Sequence, residues 1–391
     1  MPEDTGTGTG TSITTPAISM EGIPYFSSVW VFDNSTGVYV DHTIESQRVD
    51  GTVFSILEDA NDYLYLGSES RFDMSVYILA SVGSVGALTH AYSRADNTWT
   101  QTIPIEQWDT SSDYINYDFT MNGAEEYRTF RNWSARSFSA VSPHAVTPPD
   151  TISRYWLRIS VASVSVAPTV NQIQMRPYAV YCTPSDVAKQ LELNFDFSAT
   201  TTPTRETVED YIYAAQSIID YRTHKSWRVK YKQNESHEFN IAGIRLMERD
   251  VRRVTQLKVW NGGGWDTKEQ GRTNDYFLTN ELGMLYFSRY FLLPARMASY
   301  NAPVWRWGWG EFTYPVQISY LFGRDINGDR EQGGMVWDLA KKMASVDVLQ
   351  NHDYSILAVS GSDKVTMDRK IENWKIEIEE KLESLISWVM I

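Results

Sequence analysis

Between Pro24 and Tyr178 the chain is interrupted by a turn signal about every ten residues: DNSTG at 33–37, SVGSVG at 81–86, RADNT at 94–98, DTSSD at 109–113, MNGAEE at 121–126 and TPPD at 147–150. That spacing leaves no room for an ordinary helix and admits only short strands. The intervening runs agree. YLYLGS, SVYILAS and RYWLRISVASVSV are rich in Tyr, Val, Ile and Trp, the residues that fit a pleated surface. In RYWLRISV, Tyr155, Leu157, Ile159 and Val161 fall on one face, and Trp156, Arg158 and Ser160 on the other. The pattern predicts a β-sandwich, jelly-roll-like, of roughly eight strands over about 150 residues.

At Thr183 the period changes. Thr183 suits an N-cap, Pro184 the first helical position, and Asp186 the reciprocal carboxylate of a capping box. A second helix begins after Thr204, with Val208, Ile212, Ala215 and Ile219 on one stripe. Its first turn is acidic and its last basic, as the helix dipole favours. Strand-like runs return from Trp227 to Phe322, and two amphipathic helices follow. The first carries Val336, Leu339, Met343 and Val346 on one stripe; the second carries Ile371, Trp374, Ile378, Leu382 and Leu385. The expected organisation is multidomain β and α+β. It has an N-terminal arm at 1–22, a β-sandwich domain at 23–178, and a third unit at 179–391. That unit has helices at 183–225, a β-rich insertion at 226–323 and helices at 333–391.

Composition removes several function classes. The net charge is −14, which argues against a tight phosphate binder and does not exclude a surface past which DNA slides without sticking. The single cysteine, Cys182, forbids an internal disulfide and any multi-cysteine zinc site, and reads as a small apolar filler. No apolar run is long enough for a membrane span, and no partner membrane is expected. The six histidines are scattered without metal spacing. Asp325, Asn327 and Asp329 alternate as in a calcium loop, but Arg330 and Val336 occupy the positions where that loop needs Gly and Glu; a polar turn is expected instead. Glu125 and Glu126 are adjacent and would point to opposite faces of a strand. No phosphate-cradling glycine loop occurs. The reading is therefore not an enzyme, with no catalytic residue, cofactor or metal. Two aromatic features stand out. Trp305, Trp307 and Trp309 recur at period two and read as an interface or aromatic loop. Trp388, Val389, Met390 and Ile391 make an apolar end after a charged helix and read as an intermolecular docking segment, the alternative being packing on their own domain.

From about residue 179 onward the chain resembles the head–tail connector (adaptor) proteins of tailed bacteriophages. The resemblance lies in the Tyr181-Cys-Thr-Pro-Ser-Asp-Val187 helix start, the AAQSIIDYRTHKSW helix end, a hairpin from Tyr276–Leu278 to Gly283–Phe287, the VQISYLFG strand and the closing helix pair. The first half is similar in texture to a β-sandwich module of phage structural proteins, through YSRADNTWTQ and RYWLRISVASVSVAPTVNQIQMRP. The resemblance implies a structural virion protein at the neck, made in the host cytoplasm. It would form a homo-oligomeric ring, commonly a dodecamer, with the sandwich projecting from it. Its partners would be the portal protein, reached through Trp388–Ile391, a downstream neck or tail protein and capsid protein, with genomic DNA passing through non-specifically. The alternative reading is a carbohydrate-binding or host-facing tail or baseplate module using the Trp305–Trp309 loop.

Overall fold

The computed structural model describes residues 23–387 apart from 48–52, 103, 105–118, 120–121, 128–131, 145, 147, 149, 239, 241–242, 261–263, 272–273, 289–314, 329–330 and 353–363. The fold is β-rich, with its named strands paired in several antiparallel sheets.

Two sheets face each other in the N-terminal half. The larger runs in the order Val38–Asp41, Ser28–Asp33, Tyr63–Ser68, Ser153–Val161, Leu88–Ser93, Trp99–Thr102, with Arg136–Ser137 also paired to Ser153–Val161. The smaller has the order Phe54–Ser55, Thr169–Pro177, Phe72–Ser81, Gly123–Glu126. The alternation read in RYWLRISV is the packing arrangement. Tyr155, Leu157, Ile159 and Val161 enter a shared core with Leu64 and Leu66 of their own sheet and Phe72, Ile173 and Met175 of the facing one. Trp156 turns to the outer face and stacks on Phe138 of the short helix α1 (Phe138–Val141), ring centroids 4.4 Å apart. Its register partner is Gly67, where an added methyl would stand 2.5 Å from the indole ring. The strands outnumber the expected eight because several are only two residues long, too short to carry a period.

The strand Phe72–Ser81 shows why the smaller sheet matters. Its first eight residues are all buried, without alternation. One face supplies Tyr77 and Leu79 to the sandwich core. The other supplies Met74, Val76 and Ile78, which join Ile23 and Ala124 in a second cluster with Val229, Tyr231 and Leu321 from the C-terminal half. A sheet covered on both faces reads as a continuous apolar run. The smaller sheet is thus a middle layer between the larger sheet and the C-terminal strands.

In that second half, α2 (Pro184–Gln190) opens with the capping box. Thr183 Oγ1 accepts from the Asp186 amide, and Asp186 Oδ2 accepts from the Thr183 amide at 3.0 Å. Helix α3 (Arg205–Thr223) is capped by Thr204 and ends at His224 in the left-handed conformation. With α4 (Gln332–Asn351) and α5 (Lys364–Ser387) these helices share one core. It includes Val187, Val208, Ile212, Ile219, Val336, Leu339, Trp374, Ile378, Leu382 and Leu385, with Met343 and Ile371 partly buried at its margin. The apolar stripes expected of each helix are the faces that meet there. Cys182 is buried in the same core, where burial pushes its thiol well above the usual range, so it packs rather than reacts.

The strands between α3 and α4 form two further sheets. One has the order Lys230–His237, Val316–Phe322, Val251–Trp260, Trp265–Thr267; the other Ile244–Arg245, Met284–Phe287, Tyr276–Thr279. The hairpin motif closes with Tyr276 opposite Phe287 and Leu278 opposite Leu285. Gly283, with φ +59°, makes the turn that a side chain would strain.

Candidate functional site

The sequence candidates Trp305, Trp307 and Trp309, and Trp388, Val389, Met390 and Ile391, lie outside the described residues. Within them, chemistry-bearing side chains gather in four places.

The first is the seam between the halves. Arg71, from the turn before the strand Phe72–Ser81, reaches the N-terminal turns of α3. Its Nε donates to Glu209 Oε2 at 2.7 Å, and its Nη2 to Asp210 Oδ1 at 3.0 Å and the Glu206 carbonyl at 2.7 Å. Its guanidinium also lies 4.7 Å from the centroid of the Tyr178 ring. Arg176 repeats the pattern one layer away, with Nε donating to Asp73 Oδ1 at 2.6 Å and Nη1 to Glu126 Oε1 at 3.2 Å and the Val229 carbonyl. Burial works against the charge of both arginines and pushes Asp73 up. The paired acids outweigh burial at both guanidinium groups, which stay charged. These acids are occupied by arginine, so the seam holds geometry and has no free base.

The second is a polar cluster inside the sandwich. Glu125 points inward, as its neighbour Glu126 points to Arg176. Tyr127 donates to Glu125 Oε2 at 2.7 Å and Tyr77 at 3.2 Å, while Ser75 Oγ lies 2.8 Å from both phenolic oxygens. His90 Nε2 stands 3.0 Å from Glu125 Oε1 without the alignment of a hydrogen bond. Burial first, and the charge of Glu125 second, push both phenols well above their usual range. A Glu–His–Tyr set invites an acid–base reading, but these side chains are all buried between two sheets. General acid–base chemistry needs a substrate within hydrogen-bond reach. The cluster locks the two sheets in register.

The third surrounds Glu235 on the strand Lys230–His237. Its Oε1 accepts from the Met247 amide at 2.8 Å and meets His237 Nε2, and its Oε2 accepts from Tyr320. Burial would raise this carboxyl, but the donors hold it below the usual range. Tyr320 in turn accepts from the Glu248 amide at 3.3 Å. The consequence is positional, since the backbone of Met247 and Glu248 is pinned against the sheet.

The fourth is an open cleft of about 1100 Å³ between the end of α3 and the hairpin tips, lined among others by Asp220, Lys230, Met247, Arg249, Leu282 and Arg324. Asp220 is engaged by Tyr181, by Ser226 at 3.1 Å, by Arg228 at 3.2 Å and by Lys230 at 3.1 Å. Arg324 is paired with Asp250 at 3.0 Å. Among the described residues no three His, Cys, Asp or Glu side chains stand together as a metal site. Residues 325–328 form a polar turn, with Asp325 Oδ1 accepting from the Asn327 amide at 3.0 Å, while Asp329 and Arg330 lie outside the described residues.

Sequence reasoning missed the seam arginines, Glu235 and the cleft. Each depends on partners distant in sequence; Arg71 and Glu209 are 138 residues apart. The one local signal was the run Val76–Ala80, apolar at successive positions where a half-exposed strand would alternate, which marks a strand needing cover on both faces.

No protein-family model matches the chain, and no curated protein matches it. Two solved structures are similar over part of it. One, described as "CpGH89CBM32-6 produced by Clostridium perfringens", is 9% identical with a TM-score of 0.22, covering 38% of this chain and 91% of that chain. The other, described as "Neck of empty GTA particle computed with C6 symmetry", is 14% identical with a TM-score of 0.27, covering 49% of this chain and 87% of that one. At these scores neither similarity carries an argument about the fold or the function.

Proposed function

We propose that the chain is a structural virion protein of the phage neck, a head–tail connector that forms a ring beneath the portal and gives the next neck or tail component its docking surface. The observation that supports this reading is the order of elements after residue 180. The capped helix starting at Thr183, the long helix α3, the Tyr276–Phe287 hairpin and the helix pair α4–α5 follow in the order of the connector family, and all four helices share one core. The sites described above add a second support. Their polar groups hold layers and helices together, as a scaffold requires. In this reading the acidic chain lines a channel that DNA crosses without being held, and the Trp388–Ile391 segment docks on the portal.

The test is mass photometry with negative-stain microscopy of the purified chain, alone and mixed with the portal protein of the same phage. A closed ring of about twelve copies, alone or on the portal, is the expected result. A monomer that ignores the portal overturns the reading. Retention of such a monomer on a glycan array would move the function to sugar binding.

A further inference from the structure

Besides Phe277 and Trp337, the exposed large apolar side chains of the C-terminal half gather in two places, each beside charge. On α3, Ile218 is 45% exposed and Tyr221 78%, on the side away from the buried stripe. Ile376 of α5 is 59% exposed, and the Arg222–Glu379 bridge at 2.9 Å ties the two helices together. Glu372, Glu380 and Glu383 share the outer face of α5 with Ile376 and Arg369, a net acidic face opposite Trp374, Ile378, Leu382 and Leu385. None of the three acids has a basic partner among the described residues. The other place is the strip 244–249. Ile244 and Leu246 enter the core of the insertion, so Arg245, Met247 and Arg249 alternate outward. Met247 is 71% exposed, and Leu282 of the neighbouring hairpin, 56% exposed, lines the same cleft. Arg245 and Arg249 have no acidic partner among the described residues.

We infer that the two places are the two sides of one contact between copies of this chain. The acidic outer face of α5, with Ile376 and the neighbouring Ile218 and Tyr221, seats on the Arg245–Met247–Arg249 strip and Leu282 of the next copy. This rests on the ring reading above and deepens it.

Four features argue for a second copy as the occupant. The patches are opposite in charge, and each has an apolar residue at its centre. Among the described residues their charges are unpaired, so docking satisfies them without breaking a bridge seen there. Exposed apolar residues of this size, gathered and rimmed by charge, mark an interaction surface. Finally, two different patches on one chain give a heterologous contact, the kind that closes into a ring. The strip is also pre-shaped, since Glu235 and Tyr320 hold its backbone before any partner arrives. Glu248, inside the strip, and Glu281 also line the cleft and oppose an acidic partner, so the contact is limited to the outward side that carries Arg245 and Arg249.

The test uses two charge-reversal variants of the full chain, Glu380→Lys with Glu383→Lys, and Arg245→Glu with Arg249→Glu. All four residues are exposed, so both variants keep the wild-type circular dichroism and melting temperature. Wild type associates, with an assembly constant that falls as salt rises. Each variant alone assembles at least tenfold more weakly. An equimolar mixture assembles again, because each reversed patch meets its reversed complement in an alternating ring; a merely destabilised variant would not be rescued this way. If wild type and both variants assemble equally, the inference is overturned and the ring reading stands. If neither wild type nor the mixture associates at any concentration, the inference is also overturned, and portal co-assembly then decides the ring reading by itself.

Discussion

The two halves of the molecule expose different kinds of apolar residue. In the sandwich half the exposed ones are β-branched and scattered: Val38 and Val40 on an edge strand, Ile44, Val82, Ile152 and Val166 in turns and at strand ends. In the C-terminal half Ile218 and Ile376 are joined by longer and aromatic side chains, Tyr221, Met247, Phe277, Leu282 and Trp337, on helix faces and near the hairpins. Charges divide the same way. Arg71, Arg154 and Arg176 of the first half are buried in ion pairs, whereas Arg245 and Arg249 of the second are exposed and, among the described residues, unpaired. Scattered apolar residues are ordinary on any surface, while gathered ones beside unpaired charge are not. The difference teaches that the first half spends its binding capacity on its own chain, and the second keeps some for another.

The comparison breaks most visibly at the seam. Arg71→Ala leaves Glu209 buried without its main partner and is expected to destabilise the chain by about 3–5 kcal/mol in urea unfolding. Replacing both partners, Arg71→Met with Glu209→Gln, should recover most of that loss. A single-variant cost below about 1 kcal/mol would make the seam equivalent to a surface pair.

A step down, Glu125→Ala removes the carboxylate that accepts from the Tyr77 and Tyr127 hydroxyls inside the sandwich, leaving them to share Ser75, and should cost about 2–3 kcal/mol, read by thermal unfolding. Glu125→Gln, which keeps an acceptor, should cost less.

Helices α4 and α5 supply a pH test. Burial would raise Asp338, but Lys381, Lys342 and Lys341 hold it at about 2, below its ordinary 3.8. A depressed carboxyl stabilises the fold above its unfolded pKa and loses that contribution as pH falls toward its folded one. Stability should therefore drop between about pH 4 and pH 2, by about 1 kcal/mol once solvent screening is allowed for. Asp338→Asn should remove this component, as urea midpoints at pH 2.5, 4 and 6 would show.

The smallest effect on the folded chain is expected at Tyr221. Tyr221→Ala should change unfolding stability by less than about 0.5 kcal/mol, yet weaken self-association severalfold in sedimentation velocity. A large stability loss would place Tyr221 among the folding residues and blur the contrast between the halves.

Much of the local structure was legible in the sequence because its signals are local. Thr183, Pro184 and Asp186 announce α2 within four residues, and the apolar stripes of α3, α4 and α5 name the faces that meet. The alternation of Tyr155 to Val161 fixes which side chains face the sandwich core. What could not be read depends on long-range pairing. Nothing around Arg71 in GSESRFD distinguishes it from a surface arginine, because its acids lie on a helix far along the chain. Glu235 sits in KYKQNESH, a polar run whose burial comes from strands that return much later. The cleft exists only once α3 and the hairpins are placed together.

The middle sheet has a consequence for inheritance. A break at residue 178, the expected domain boundary just before the period of the sequence changes, would be the natural place for recombination to exchange one module for another if the two halves were independent. Yet removing residues 23–178 would uncover Val229, Tyr231 and Leu321 and leave Glu209 without Arg71. A newcomer at that joint would have to supply both an apolar sheet face and a matching arginine. The two halves are therefore expected to travel between genomes together, and to drift in step along the layer they share.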